Sequence, residues 1–289
     1  MSEDPTASAL IYRNRRTFMQ FARIYPGVLF GTVVLGTMLV AAFLAPLPFD
    51  PFKPDAFAVL NAPSAEHWFG TDLTGFDVFS RTIVSARLDL LLAIGGAMLS
   101  MVVGVVLGLV ASAKGRTGER MMRALDAFQA FPLLILAIAI VSLTGDRLEN
   151  VIIAIALINV PRFMRLVRSE VLSLRESRFV EAAIAIGASK TRVMFRHLLP
   201  NLSGVILAQV SLAAAHAIIV IAALSFLGIG ITPPDASWGA MIQSGARNMV
   251  SGQWWVVAFP GLAVIVAVTS LNLIADGLDS VFDRSLSDA

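Results

Sequence analysis

The chain has 289 residues, of which 57% are hydrophobic and 15% charged, and its mean hydropathy is +0.78. A soluble domain of this length is far less apolar, so we expect an all-α membrane protein that crosses the bilayer several times. The formal net charge of +2 is too small to indicate a nucleic-acid partner, and the lack of cysteine excludes disulfides and thiolate metal sites. The histidines, His67, His197 and His216, fall in three different segments, so we expect no metal site.

The N-terminal segment, residues 1–26, is polar and precedes the first apolar run, residues 27–47. That run has about the 20 residues that cross a bilayer core. A cleaved signal peptide is the competing interpretation, but the run is long for one, and Pro46 and Pro48 disfavour a cleavage site. We therefore expect a cytoplasmic segment over residues 1–26, and an anchor followed by an outer loop over residues 27–87.

The outer loop is interrupted by prolines, and residues 78–88 have apolar side chains at helical spacing. We expect those residues to lie along the outer membrane surface before the second span, residues 88–113. His67 is interpreted as a loop residue at the interface rather than a ligand. Gly104 and Gly108 have the small-xxx-small spacing that lets helices approach closely in lipid.

Basic residues mark a cytoplasmic turn after the second span. They are Lys114, Arg116, Arg120 and Arg123. The third span is predicted at residues 127–144, with a kink at Pro132 near its inner end. The fourth span begins at residue 151 and meets Pro161 after ten residues that are apolar apart from Asn159. We expect it to continue as a helix whose stripe of Arg162, Arg165 and Arg168 reaches the inner headgroups.

The charge distribution supports this fourth span. Residues 162–196 hold eight Lys or Arg against three Glu, and an outer location would oppose the positive-inside rule where it is strongest. With the span accepted, 17 of the 22 basic residues are cytoplasmic. The prediction is six spans with both termini in the cytoplasm.

The fifth span, residues 205–227, carries Gln209, Ser211 and His216 at hydrocarbon depth. Polar residues within a membrane are functional by default, and Gln209 and His216, seven apart, share a helix face. We expect this face to line a translocation path or a subunit contact; the alternative is an interhelical hydrogen bond without a transport role. A short outer or re-entrant helix is predicted at residues 236–249, with Trp238 at the interface, before the sixth span at 254–275.

The polar stretch EAAIAIGASKTRVMFRHLLP, residues 181–200, is the most distinctive in the chain. Glu181 complements the positive end of a helix dipole, and Ala182 and Ala183 permit close approach of another surface. Gly187 tolerates positive φ, so two short helices can meet at an angle, and Pro200 is expected to end the second. We predict a helix-turn-helix that projects from the membrane.

This stretch resembles the EAA loop of the membrane subunits of bacterial ABC importers. The matching residues are Glu181, Ala182, Ala183, Gly187, Leu199 and Pro200. His197 stands where the general pattern has an aliphatic residue, and residues 196–201 are similar to the second-permease type of the dipeptide and oligopeptide branch, which also includes opine and nickel systems. The alternative is an ordinary basic, amphipathic cytosolic loop, and the six matching positions disfavour it.

The resemblance implies the type I ABC importer permease fold, with a core domain over residues 88–289 that has five membrane helices and a cytoplasmic coupling loop at 162–200. It also implies half of a translocation path for peptides or peptide-like solutes in the bacterial cytoplasmic membrane. The implied partners are a homologous second permease subunit, two ATP-binding subunits that bind ATP and Mg, an extracytoplasmic solute-binding protein and membrane lipid.

The chain itself is not predicted to be an enzyme and has no P-loop, because no glycine precedes Lys190 directly. Two other classes were weighed. A secondary transporter or channel would predict inverted repeats or acidic residues within spans, where only Asp89 and Asp126 occur, near the ends. An intramembrane enzyme would need a Ser-His pair or two aspartates at matching depth. Ser211 and His216, five residues apart on a helix, face different directions, and no partner carboxylate lies at that depth.

Overall fold

The computed structural model describes residues 25–113, 116–231 and 234–287. Across these ranges the regular structure is helical, apart from an isolated bridge between Thr71 and Asp77. The longer helices are α1 (Pro26–Leu44), α2 (Val78–Ala111), α3 (Arg116–Gln129), α4 (Leu133–Thr144), α5 (Leu148–Leu174), α6 (Arg178–Ala185), α9 (Ser203–Phe226), α10 (Trp238–Ala246) and α11 (Trp255–Ser287). Between α6 and α9 lie α7 (Lys190–Arg192), a π-helical stretch (Val193–Leu198) and α8 (Leu199–Asn201).

Five of these helices are long and apolar enough to cross a membrane: α1, α2, α5, α9 and α11. The pair α3 and α4, bent by 84° where they join, provides a sixth span if it is counted as one. The all-helical fold predicted from the sequence is thereby confirmed, and the predicted six spans agree with the structure if the bent pair is counted as one. The predicted segment at residues 1–26 falls almost wholly outside the described residues, as does Lys114.

Helices α2 and α5 form the most extensive helix pair. They run parallel, because Gly96, Gly104 and Gly108 meet Ile155, Phe163 and Val167 in the same order along the chain. A side chain added at Gly104 would collide with Phe163, and one added at Gly108 would lie 2.8 Å from the Cβ atom of Val167. The two predicted small residues therefore do mark a close helix contact. Because α2 and α5 run in the same direction, the chain between them, α3 and α4, has to return across the bundle.

The remaining contacts define the two ends of the bundle. At one end, Trp255 donates its indole N–H to the carbonyl of Thr71, and the Gly230 amide donates to Asp146. At the other end, the guanidinium of Arg175 donates to the carbonyl of Ser112. The loop at residues 45–77 and helix α10 thus lie at one end, and residues 175–202 at the other.

Two spans differ from their predictions. Residues 78–88 do not lie along the membrane as a separate helix, because α2 is one helix of 34 residues capped by Asp77. Its length of about 51 Å exceeds a core of about 30 Å, so its first turns extend beyond the lipid and are buried against protein. The third span was predicted as one kinked helix over residues 127–144, but the structure has two helices there. Helix α3 ends at Gln129, and the separate 12-residue helix α4 starts directly after Pro132, its N-cap residue.

Trp238 also differs from its prediction as an interfacial residue. Its side chain is 0% exposed, its indole N–H donates to the carbonyl of Thr82 at 2.9 Å, and its backbone N–H donates to Asp89 at 2.9 Å. The packing of α10 is close, since a side chain added at Gly239 would collide with the carbonyl of Ala222. Helix α10 is therefore folded onto α2 and α9 rather than lying on lipid.

Candidate functional site

The segment with the predicted coupling residues forms two helical arms joined at a turn, which we call the elbow (residues 178–201). Ser177 precedes the first arm, and Glu181 lies in its first turn, where a carboxylate interacts favourably with the helix dipole. Gly187 has φ +85° at the turn, with open space around it. That backbone conformation favours glycine, so the sequence explains why the helix stops at this point.

One face of the elbow packs against the bundle. Val180, Ala183 and Leu198 are buried, and Leu199 packs against them as a partly buried residue. Ala183 therefore contributes to the core, whereas Ala182 beside it is exposed. These contacts attach the elbow to the end of the membrane helices.

The opposite face of the elbow has apolar side chains without cover among the described residues. Ile186 is 87% exposed, Ile184 is 59% exposed and Phe195 is 60% exposed. Arg192 and Arg196 are exposed on the second arm. A mixed apolar and basic surface that stands clear of the bundle is typical of a protein-protein contact.

The second arm does not end at Pro200 as predicted. Residues 193–198 form a π-helical stretch, and the helical path continues through Pro200 to Asn201. Proline lacks an N–H and crowds the preceding turn of an α-helix, and a π turn is wider and bonds one residue further back. The wider turn accommodates Pro200, which remains exposed.

The three polar residues predicted to line a path all lie on α9 and are half-buried. Gln209 lines an open cleft of about 570 Å³. His216 lies two turns further along the same face, and its Nδ1 atom is buried without a hydrogen-bond partner among the described residues. Ser211 lies on a different face, so Gln209 and His216 share a helix face as predicted, and of the three residues only Gln209 lines the cleft.

The cleft lies between α3, α5 and α9 and has both apolar and basic walls. Its walls include Met122 and Gln129 from α3, and Arg162 and Leu166 from α5. Its volume is within the range of pockets that hold small solutes. Sequence reasoning did not identify this cleft, although the arginines spaced by three on α5 are the signal that could have suggested it.

The sequence predicted that all three of those arginines reach the lipid headgroups. Two of them instead have partners on α3. Arg165 forms an ion pair with Asp126 of α3, with 2.6 Å between Nη2 and Oδ1. Arg168 donates to the carbonyl of Gly118 at 3.2 Å. These two contacts hold the amphipathic helix α3 against α5.

The loop at the other end of the bundle contains a buried pair formed by a histidine and an aspartate. His67 Nδ1 lies 2.9 Å from Asp77 Oδ1, and the His67 ring stacks on Phe49. The second oxygen of Asp77 accepts from the Ser80 amide at 2.8 Å and so caps α2. His67 is therefore a structural residue of the loop, and among the described residues no three metal-ligating side chains converge.

The amino-acid sequence is similar to those of known transport proteins. Residues 100–288 match the family described as "Binding-protein-dependent transport system inner membrane component". The chain is 40% identical to the dipeptide transport system permease protein DppC of Alkalihalophilus pseudofirmus, over 89% of this chain and 85% of that protein. It is also 40% identical to a protein of Brucella suis biovar 1 that is provisionally named a peptide transport system permease, over 89% and 87%.

Proposed function

Because this chain belongs to the family of inner-membrane components of binding-protein-dependent transport systems, we propose that it forms half of a translocation path for peptides or peptide-like solutes. It is a permease subunit of an ABC importer and not an enzyme. This assignment disfavours the alternative of a secondary transporter or channel that works without an ATPase. The names of its relatives support peptides as the cargo.

The observation that carries the coupling mechanism is the elbow. It has an exposed apolar and basic surface at one end of the bundle, and its inner face is fixed to the ends of the membrane helices. A force applied to the elbow therefore reaches α5 and α9, which lie directly before and after it. Two ATP-binding subunits, which hold ATP and Mg, would dock there and supply this force.

The other partners follow from the two ends of the bundle. A homologous second permease would complete the path, and a solute-binding protein would deliver cargo to the end formed by residues 45–77 and α10. The excess of basic residues near the elbow supports a cytoplasmic location for that end and for both termini. In a bacterium the membrane would be the cytoplasmic one.

The test is a charge reversal on the elbow. Glu181 is exposed, so Glu181→Lys should leave insertion and assembly intact while it places a like charge beside the basic surface. We expect uptake driven by ATP to fall at least about tenfold in proteoliposomes that contain the whole importer. ATP hydrolysis would persist without stimulation by the loaded binding protein.

Glu176→Lys is the matched control, because Glu176 is also exposed but lies outside the elbow. A second variant, Gly187→Pro, tests the turn, since proline cannot adopt φ +85°. We expect it to uncouple hydrolysis from uptake in the same way. Normal uptake by both elbow variants would contradict the proposed coupling role.

A further inference from the structure

The guanidinium of Arg162 differs from those of its neighbours on α5. Arg165 is paired with a carboxylate, and Arg168 donates to a backbone carbonyl. Arg162 instead donates a single hydrogen bond of 3.3 Å, from Nη1 to the side-chain oxygen of Asn159. Among the described residues, no carboxylate pairs with it.

The position of Arg162 makes this lack of a carboxylate partner costly. It is the fifteenth of the 27 residues of α5, about 21 Å from the start of the helix and one turn before the exposed ion pair of Arg165. A partly buried charge without a charged partner is unfavourable, and a solute of opposite charge would supply that partner. Its side chain is half-buried and lines the cleft.

The surroundings hold the guanidinium in place. Asn159 is fully buried, and its side-chain amide donates to the carbonyl of Ile155 at 3.0 Å, which leaves its oxygen directed at Arg162. A guanidinium has five N–H donors in a planar fork that matches a carboxylate. Most of these donors remain available to a molecule in the cleft.

One polar group from α9 lines the same cleft, and a second lies nearby. The amide of Gln209 is part of the cleft wall, and His216, two turns away on the same helix face, lies within electrostatic reach of Arg162. The Nδ1 atom of His216 is buried and has no hydrogen-bond partner among the described residues. The apolar walls, such as Met122 and Leu172, provide contact without hydrogen bonds.

We infer that this cleft is a carboxylate-binding subsite on the translocation path, in which Arg162 receives the free carboxylate of the transported solute. The inference rests on the proposed function and adds to it a chemical feature of the cargo. A short peptide with a free C-terminus has this group, and a single forked contact in an open cleft holds it loosely enough for release. Asn159 acts as a positioning residue.

The experiment compares uptake of one dipeptide with uptake of its C-terminal amide by the whole importer in proteoliposomes. All variants receive solute from the same binding protein, so the preference of that protein cancels when each acid-to-amide ratio is divided by the wild-type ratio. We expect Arg162→Gln to lower this ratio at least about tenfold, through loss of a charge-assisted contact. Arg162→Lys, which keeps the charge without the fork, should give an intermediate value.

Arg120→Gln is the matched control, because Arg120 is an exposed arginine of α3 that does not line the cleft. Its ratio should stay at the wild-type value. An unchanged ratio in Arg162→Gln, with uptake of both peptides intact or equally reduced, overturns the inference alone. If wild-type importer carries neither peptide, the proposed function fails, and this inference fails with it.

Two further arms remove the remaining ambiguities. If Arg162→Gln does not assemble, Arg162→Lys serves as the deciding variant, and a wild-type ratio there overturns the inference. Vesicles with and without phosphatidylglycerol distinguish a solute carboxylate from a lipid phosphate. A loss that affects both peptides equally and occurs only with the anionic lipid would assign Arg162 to a lipid headgroup.

Discussion

At the scale of single residues, the side chains with the most specific partners bond to groups far away in the chain. Trp238 and Thr82 are 156 residues apart, yet the indole of one donates to the carbonyl of the other. Asp89 accepts from the backbone of Trp238 in the same contact region. These bonds attach α10 to α2. Sequence reasoning placed Trp238 at the lipid interface, but its hydrogen bonds give it a structural role inside the protein.

Trp238→Phe tests this anchor. The substitution removes the indole N–H and leaves space in a fully buried site, so it should destabilise the protein by about 1–3 kcal/mol. The measurement is thermal unfolding of the purified permease in detergent, where we expect the midpoint to fall by several degrees.

Trp254→Phe is the control, because Trp254 is 51% exposed and its indole N–H has no hydrogen-bond partner within the described part of the chain, although its ring has aromatic contacts. It should change the midpoint little. Equal shifts in the two variants would mean that the buried hydrogen bond of Trp238 is not the stabilising feature.

At the scale of helices, local patterns predicted the existence of elements better than their ends. The elbow and the long α5 follow from a glycine at a turn and from a helical stripe of arginines that continues past Pro161. The break between α3 and α4 was missed, since Pro132 reads equally as a kink within a helix or as the start of one. Packing against α5 selects the second arrangement.

Gly108→Leu tests the pairing of α2 with α5. A side chain at this position would meet Val167 and the carbonyl of Met164 at 2.8 and 3.0 Å, so the two helices would have to separate. We expect a loss of about 1–3 kcal/mol or more, seen as reduced yield of folded protein and a lower unfolding midpoint.

Gly36→Leu is the matched control on α1, where an added side chain meets nothing within 4 Å. Its yield and midpoint should equal those of the wild type. Gly108→Ala, a smaller change, keeps the test informative if the leucine variant cannot be purified. If both Gly108 variants unfold at the wild-type midpoint temperature, the close contact at Gly108 does not contribute to the packing of α2 against α5.

At the scale of the whole molecule, the bundle has two chemically different ends. One combines the loop at residues 45–77 with α10, and the other combines the elbow with the turn after α2. The proposed mechanism needs these ends on opposite sides of the membrane, with solute delivered at the first and force applied at the second.

Single-cysteine labelling tests this orientation directly, because the chain has no cysteine of its own. Ser189→Cys on the elbow and Ser64→Cys in the loop both introduce exposed thiols. With a membrane-impermeant maleimide, we expect intact cells to be labelled only at position 64, and inside-out vesicles only at position 189. Labelling of position 189 from outside intact cells would reverse the orientation and refute the proposed coupling.

The sequence by itself determined the membrane-spanning class, the approximate positions of the spans and the elbow motif. These depend on properties that are local along the chain: the length of an apolar run, the balance of charge beside it and a glycine at a turn. Only the tertiary structure decided that Arg165 is paired while Arg162 faces an open cleft, and that Trp238 is buried. Such features arise where helices distant in sequence meet, and although spacing can mark a close-packing face, as at Gly104 and Gly108, it does not specify which helix that face meets.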